Sequence, residues 1–255
     1  MKQRIALFGM VAVALIFAAC EGDSGNNGTE VEGGSSSSVV IFSSSSLAIS
    51  SSNAKVAWSY LNPDISYGEM MDTRDGQVYK TVVIGTQTWM AENLNYKVDS
   101  SWCYNNSTDS CSKYGRLYEW ASAMAVDAIY NGAILGDSIN HQGACPAGWH
   151  ISTDAEWTIL ENAVGGEDVA GTALKSTSGW YNDGNGTDAY GFSALPGGNY
   201  NGSDFYGVGN FGTWWTATEC SSTGAYYRYM YYGSRDVDTD NHSKTYGRSL
   251  RCLKD

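Results

Sequence analysis

Histidine is nearly absent from this chain: His141, His150 and His242 are the only three in 255 residues. Basic residues are scarce too, 15 against 27 acidic ones. No HExxH, no GxSxG and no His/Cys cluster at metal-ligand spacing occurs. These absences remove the sequence signatures of zinc and serine hydrolases. An acidic surface repels phosphate backbones and anionic headgroups, which argues against nucleic acid as a partner. A bilayer-spanning helix needs about 20 apolar residues. The N-terminal apolar run, Ile5–Ala19, is shorter than that.

That run has its own meaning. Lys2 and Arg4 precede it, and Phe17-Ala18-Ala19-Cys20 ends it with small residues before a cysteine. This is the pattern of a secretory signal peptide over residues 1–19, and Cys20 resembles the lipidated cysteine of bacterial lipoproteins. The resemblance implies acyl chains on Cys20, a membrane partner through that anchor, and an extracytoplasmic location at the outer membrane or cell surface. The other reading is an ordinary signal peptide cleaved near Ala19. Cleavage removes two basic residues and no acid, so 13 basic and 27 acidic residues leave a formal charge of −14.

Residues 20–55 read as a Ser-rich flexible tether, with serine runs at 35–38, 43–46 and 50–52. Such a coil spans on the order of 30 Å, enough to hold a domain off a membrane. Residues 56–255 are then one domain, long enough to bury a sizeable core. It is rich in Gly, Tyr and Trp, a composition that favours short strands and tight turns.

Several strands are expected. Gln77–Ile84 turns at Gly85-Thr86 into Gln87–Met90. Gly191–Leu195 reads as a short strand before Pro196-Gly197-Gly198. Gly212–Thr218, Ala225–Tyr232 and Gly247–Leu253 read as a terminal antiparallel meander. Two helices are expected among them. Leu117, Trp120, Ala121 and Met124 share one helical face. Thr153-x-x-Glu156 is a capping box that starts the second, with Trp157, Leu160 and Val164 on one side and Gly165-Gly166 at its end. Glu156 at that cap is a structural residue before it is a catalytic acid. The fold class is α+β: two main helices among short antiparallel strands.

Five cysteines follow Cys20. Export to an oxidising compartment predicts disulfides. Cys103 and Cys111 bracket a short polar loop and are expected to pair, as are Cys145 and Cys252, leaving Cys220 over.

Five segments fall in an order that resembles a known family. They are Ile84-Gly85-x-Gln87-x-Trp89-Met90-Ala91-Glu92-Asn93-Leu94; Tyr114-Gly115-Arg116-Leu117-Tyr118-x-Trp120; Cys145-Pro146-x-Gly148-Trp149-His150 with Thr153-Asp154-x-Glu156-Trp157; Tyr190 to Gly198; and Arg248-Ser249-x-Arg251-Cys252. From Gly76 to Leu253 the chain resembles the Fibrobacter succinogenes major paralogous (FISUMP) domain. The resemblance implies a surface or secreted role and a C-type-lectin-like fold, shared distantly with formylglycine-generating enzymes. It assigns no biochemical activity, and fold does not carry function with it. The oxidase chemistry of that wider group looks dependent on a close pair of late cysteines, and only Cys220 and Cys252 lie late here.

Two ligand chemistries are written into the loops. Asn182, Asp183, Asn185 and Asp188 crowd hard oxygens into one turn-rich segment, as a Ca2+ site would; the alternative is a solvated Asn/Asp/Gly turn. Asp236, Asp238 and Asp240 are a second acidic stretch, alternating as on one face of a strand or loop; the solvated loop is the favoured reading. Aromatics supply the other chemistry. Trp180, Tyr181, Tyr200 and Tyr206 lie in Gly/Asn-rich loops, and Trp214 and Trp215 are adjacent, so that one of them is expected to face outward. Arg228 interrupts a run of tyrosines. Trp180, Tyr181, Tyr200, Tyr206, Trp214 and Arg228 are therefore the expected contacts for a polysaccharide or another cell-surface partner. The leading reading is a non-catalytic binding domain. The alternatives are an extracytoplasmic enzyme, either an oxidase relative or a carbohydrate hydrolase, and a structural envelope protein.

Overall fold

A computed structural model describes residues 60–136 and 141–255. The expected signal peptide, Cys20, the expected tether and the first residues of the expected domain lie outside the described residues. Among those described, no helix is long and apolar enough to cross a membrane.

The elements run in the order β1 (Gly68–Met71), β2 (Val78–Ile84), β3 (Gln87–Met90), β4 (Ser101–Trp102), α1 (Thr108–Tyr114), β5 (Leu117–Tyr118), α2 (Trp120–Ala123), β6 (Trp149–Ile151), α3 (Asp154–Ala163), α4 (Glu167–Leu174), β7 (Asn199–Tyr200), β8 (Phe205–Tyr206), β9 (Phe211–Glu219), β10 (Gly224–Tyr231), β11 (Asp238–Ser243) and β12 (Cys252–Lys254). The class is α+β, with four α-helices and several small antiparallel sheets. The largest sheet has the order β1-β2-β3-β12-β6 and a second has β11-β10-β9.

The hairpin of β2 and β3 forms at the expected residues, with Ile84 opposite Gln87 and the turn residue Gly85 at φ +60°. The capping box forms as expected. Thr153 Oγ1 accepts from the Glu156 N–H, and Glu156 Oε2 accepts from the Thr153 N–H at 2.8 Å. Both expected disulfides are present, Cys103–Cys111 and Cys145–Cys252.

Four expectations change. The helix over Leu117–Met124 is a two-residue strand followed by one helical turn, because Tyr118 bridges to Arg248 and pulls the backbone into extended pairing. The second long helix is instead α4, beyond Gly165-Gly166. Gly191–Leu195 is not a strand: Ser193 adopts φ +52°, and both Asp188 carboxylate oxygens hold it there through its N–H and Oγ, each at 2.7 Å. The third strand of the meander is β11, which carries Asp238 and Asp240; β12 joins the larger sheet, between β3 and β6.

Strands β3, β6, β9, β10 and β12 are largely buried on both faces, and neighbouring residues feed two different cores. Met90, Trp215, Tyr227 and Cys252 enter one core, together with Trp120 and Tyr118. Trp89, Trp214, Met230 and Leu253 enter the other, under Trp157 and Leu160 of α3 and Leu174 of α4. This is the period-two alternation of a strand, with apolar side chains on both sides. It also settles the Trp214-Trp215 pair. They do point to opposite faces, but each face is covered and both are fully buried.

A buried arginine links these layers. Arg251 donates to the Asn93 side chain at 3.0 Å and to the Met90 carbonyl at 3.1 Å, and it lies over the Phe192 ring at 4.3 Å. Burial pushes its guanidinium down to about 9. Asn93 Oδ1 also accepts from Trp214 Nε1 at 2.9 Å.

Candidate functional site

The expected ligand contacts separate into two groups. Trp180, Trp214 and Arg228 are buried, and their roles are internal. Trp180 Nε1 donates to Ser176 Oγ and the Ala194 carbonyl at 3.2 and 3.1 Å. Trp214 is held by Asn93, as above. Arg228 Nη1 meets Glu161 at 2.7 Å, and Nη2 reaches the Asp154 carbonyl and Thr158 Oγ1 at 2.9 and 3.0 Å, so it pins α3 onto β10. None of the three has surface to offer a ligand. Tyr181, Tyr200 and Tyr206 do.

Tyr200 and Tyr206 lie on the β7–β8 hairpin. Its turn is shaped by Asn201, whose Oδ1 accepts from the N–H groups of Ser203 and Asp204 at 2.9 and 2.7 Å. Tyr200 stands opposite Phe205 and Asn199 opposite Tyr206. The hairpin is extended by further chain segments. Tyr200 bridges antiparallel to Gly247, Arg248 to Tyr118, and β5 pairs with β4. The result is a small composite sheet whose residues alternate between two faces.

One face carries Phe205, Tyr200 and Trp102. Tyr200 sits 4.5 Å from Trp102 and 4.8 Å from Phe205, ring centroid to centroid. Tyr104 extends the group from Phe205 at 5.5 Å. Gly247 lies between Tyr200 and Trp102. A Cβ there would sit 3.0 Å from Tyr200 Cβ and 3.3 Å from the Trp102 ring, so glycine is what lets the rings meet over it. Trp102, Tyr200 and Phe205 are all partly exposed. They form an aromatic ridge.

The Gly207–Phe211 loop leads to a second aromatic group. Phe211 lies 5.0 Å from Tyr231, Tyr231 is 4.3 Å from Tyr232, and Tyr232 meets Tyr181 edge-on at 5.3 Å. Tyr181 is 58 % exposed, and its N–H donates to the Gly209 carbonyl of the same loop. The sequence pointed to Tyr181, Tyr200 and Tyr206. It missed Trp102, Phe205 and Phe211. Tyr200 and Phe205-Tyr206, flanking the turn residues Asn201–Asp204, were a usable hairpin signal for Phe205. Nothing local marked Trp102, which arrives from β4.

The expected calcium segment is turned partly inward. Asn185 Oδ1 accepts from the Trp180 N–H at 3.0 Å, and both Asp188 oxygens hold Ser193. Asp188 is fully buried, and that burial pushes its carboxyl up to about 6 against the pull of its hydrogen bonds. Asn182 and Asp183 are exposed on a left-handed turn. Among the described residues, no group of three or more His, Cys, Asp or Glu side chains is placed to hold a metal ion.

A groove of about 420 Å3 holds a titratable cluster, lined in part by Gln87, His150, Glu156 and Asp255. His150 has both ring nitrogens bonded to carboxylates, Nε2 to Glu156 at 2.9 Å and Nδ1 to Asp255 at 2.7 Å. No ring nitrogen is left to act as a base on a ligand. Cys252 is bridged to Cys145, so Cys220, exposed and unpaired, has no free late cysteine beside it.

A search of the curated proteins finds no match to this chain. A search of the solved structures finds none either. Residues 82–254 match the family described as the Fibrobacter succinogenes major domain. Since the match spans more than half of the chain, the protein belongs to the Fibrobacter succinogenes major domain family.

Proposed function

We propose that this protein is an extracytoplasmic lipoprotein, anchored through Cys20 at the outer membrane or cell surface, whose domain binds polysaccharide without catalysis. The observation that carries the binding reading is the ridge of Trp102, Tyr200 and Phe205, three partly exposed rings packed obliquely against one another on a sheet. Aromatic rings offer flat apolar area, and Tyr adds a polar tip, which suits the apolar face and hydroxyl rim of a pyranose. A rigid platform loses little side-chain entropy when a ligand settles on it. The C-type-lectin-like assignment of the fold belongs to this proposal. It draws on the family resemblance and on the pairing of the first described strands with the last in one sheet.

The binding test is retention on insoluble cellulose and xylan. Wild-type protein is expected to be retained and Tyr200→Ala to be released, with the two melting at similar temperatures. A folded wild-type protein that passes through both matrices would remove the reading. The anchor has its own test, metabolic labelling with a fatty acid. Label is expected on the wild type and lost in Cys20→Ser; label that persists would refute the anchor.

A further inference from the structure

We propose that Asn199 and Arg248 form the floor of a subsite, covered by the ring of Tyr206, that receives one hydroxyl group of a neutral saccharide. This rests on the polysaccharide reading above and narrows it to a ligand class.

The composite sheet sets the geometry. Asn199 stands opposite Tyr206, and the Tyr200–Gly247 bridge, continued by one residue, sets Asn199 opposite Arg248. Opposed residues of antiparallel strands have side chains on the same face, with Cβ atoms about 5 Å apart. Tyr206, Asn199 and Arg248 therefore form a row on the face that turns away from the ridge.

Two atoms in that row are anomalous. Arg248 Nε and Asn199 Oδ1 are both buried and neither has a hydrogen-bond partner. Residues Arg248 and Asn199 are only 2 % and 5 % exposed. Buried polar atoms without partners are rare, and each calls for an explanation. Here one is a donor and the other an acceptor. A hydroxyl matches both needs, because it donates and accepts; a carboxylate only accepts and an ammonium only donates.

The surroundings favour an uncharged ligand. The Arg248 guanidinium lies 3.3 Å from the centroid of the Tyr227 ring, and Tyr227 donates its hydroxyl to Asp240 Oδ2 at 3.1 Å. Asp240 is thereby committed to Tyr227, while its charge still opposes an incoming anion. Access runs past Tyr206, which is 42 % exposed on a two-residue edge strand. Gly207 and Gly209 follow, at φ +80° and +83°. The same edge strand carries Phe205 toward the ridge, so a saccharide chain crossing that edge meets both faces.

The test is calorimetric titration of the full domain with cello- and xylo-oligosaccharides and, separately, with oligogalacturonate. Asn199→Asp sets a carboxylate beside Arg248, and the ion pair fills the subsite from within. Affinity for the neutral oligosaccharides is expected to fall about tenfold, the loss expected of one hydrogen bond to a charged group, with the melting temperature kept or raised. Tyr206→Ala is the second variant. It alters only an exposed edge residue and is expected to weaken neutral binding to a similar degree. If wild type binds and both variants bind equally well, the subsite is refuted while the ridge reading stands. Tighter binding of oligogalacturonate than of the neutral probes would overturn the hydroxyl assignment. A wild type that binds no probe overturns subsite and ridge together.

Discussion

His150 joins three parts of the chain through one ring: β6, on which it sits, the cap of α3 through Glu156, and Asp255 beyond β12. The Glu156 bond is the main reason its pKa lies above the ordinary 6.5, with Asp255 adding to it and burial opposing. Burial alone would raise Glu156, but the bonds from His150 and Thr153 hold it below the ordinary 4.5. The signs give a window. A histidine raised on folding stabilises fully below 6.5, and that stability is lost as pH climbs through its raised pKa. A lowered glutamate stabilises above 4.5, and that stability is lost as pH falls through its lowered pKa. This cluster therefore stabilises most between pH 4.5 and 6.5. In His150→Gln, the urea midpoint is expected to decline less between pH 6.5 and 8.5 than in wild type. Equal declines would show that other groups set the alkaline limb.

At the scale of elements, the sequence was most legible where local chemistry alone decides. The β2–β3 hairpin follows from its turn and alternation, and α3 follows from Thr153 and Glu156. It was least legible where tertiary pairing overrides a local pattern. Leu117, Trp120, Ala121 and Met124 have helical spacing, yet the Tyr118–Arg248 bridge forces the first of them into a strand. Asp238 and Asp240 alternate as on a strand or a solvated loop, with the loop the favoured reading; they lie on β11, paired in register with Tyr229 and Tyr227. Binding residues suffered most. Exposure cannot be read from residue type when strands such as β9 and β10 are covered on both faces, so Trp214 and Arg228 passed for contacts while serving the core. Many residues that carry the family resemblance prove to be structural as well. Gln87 receives the Trp89 indole N–H at 3.1 Å and donates to the Glu156 carbonyl at 3.0 Å. Asn93 and Arg251 tie the two cores together. The motifs thus specify the scaffold. The Trp102–Tyr200–Phe205 ridge is assembled mostly from residues outside them.

For the molecule as a whole, the last strand closes the fold. Leu253 of β12 pairs with Trp89 on one side and His150 on the other, so the largest sheet is incomplete until the end of the chain arrives. The Cys145–Cys252 bridge fastens that strand across a separation of 107 residues, whereas Cys103–Cys111 spans 8. If a disulfide acts by restricting the unfolded chain, the long bridge stabilises by about 4.8 kcal/mol and the short one by about 2.5 kcal/mol. With a urea slope of roughly 2 kcal/mol per molar, paired alanine replacement of Cys145 and Cys252 is expected to lower the midpoint by about 2 M. The same change at Cys103 and Cys111 is expected to lower it by about 1 M. The order of the two losses decides between mechanisms. Loop entropy requires the long bridge to matter more. A larger loss at Cys103–Cys111 would instead place the stabilisation in local packing around α1, where Arg116 Nη1 lies 3.5 Å from both sulfurs.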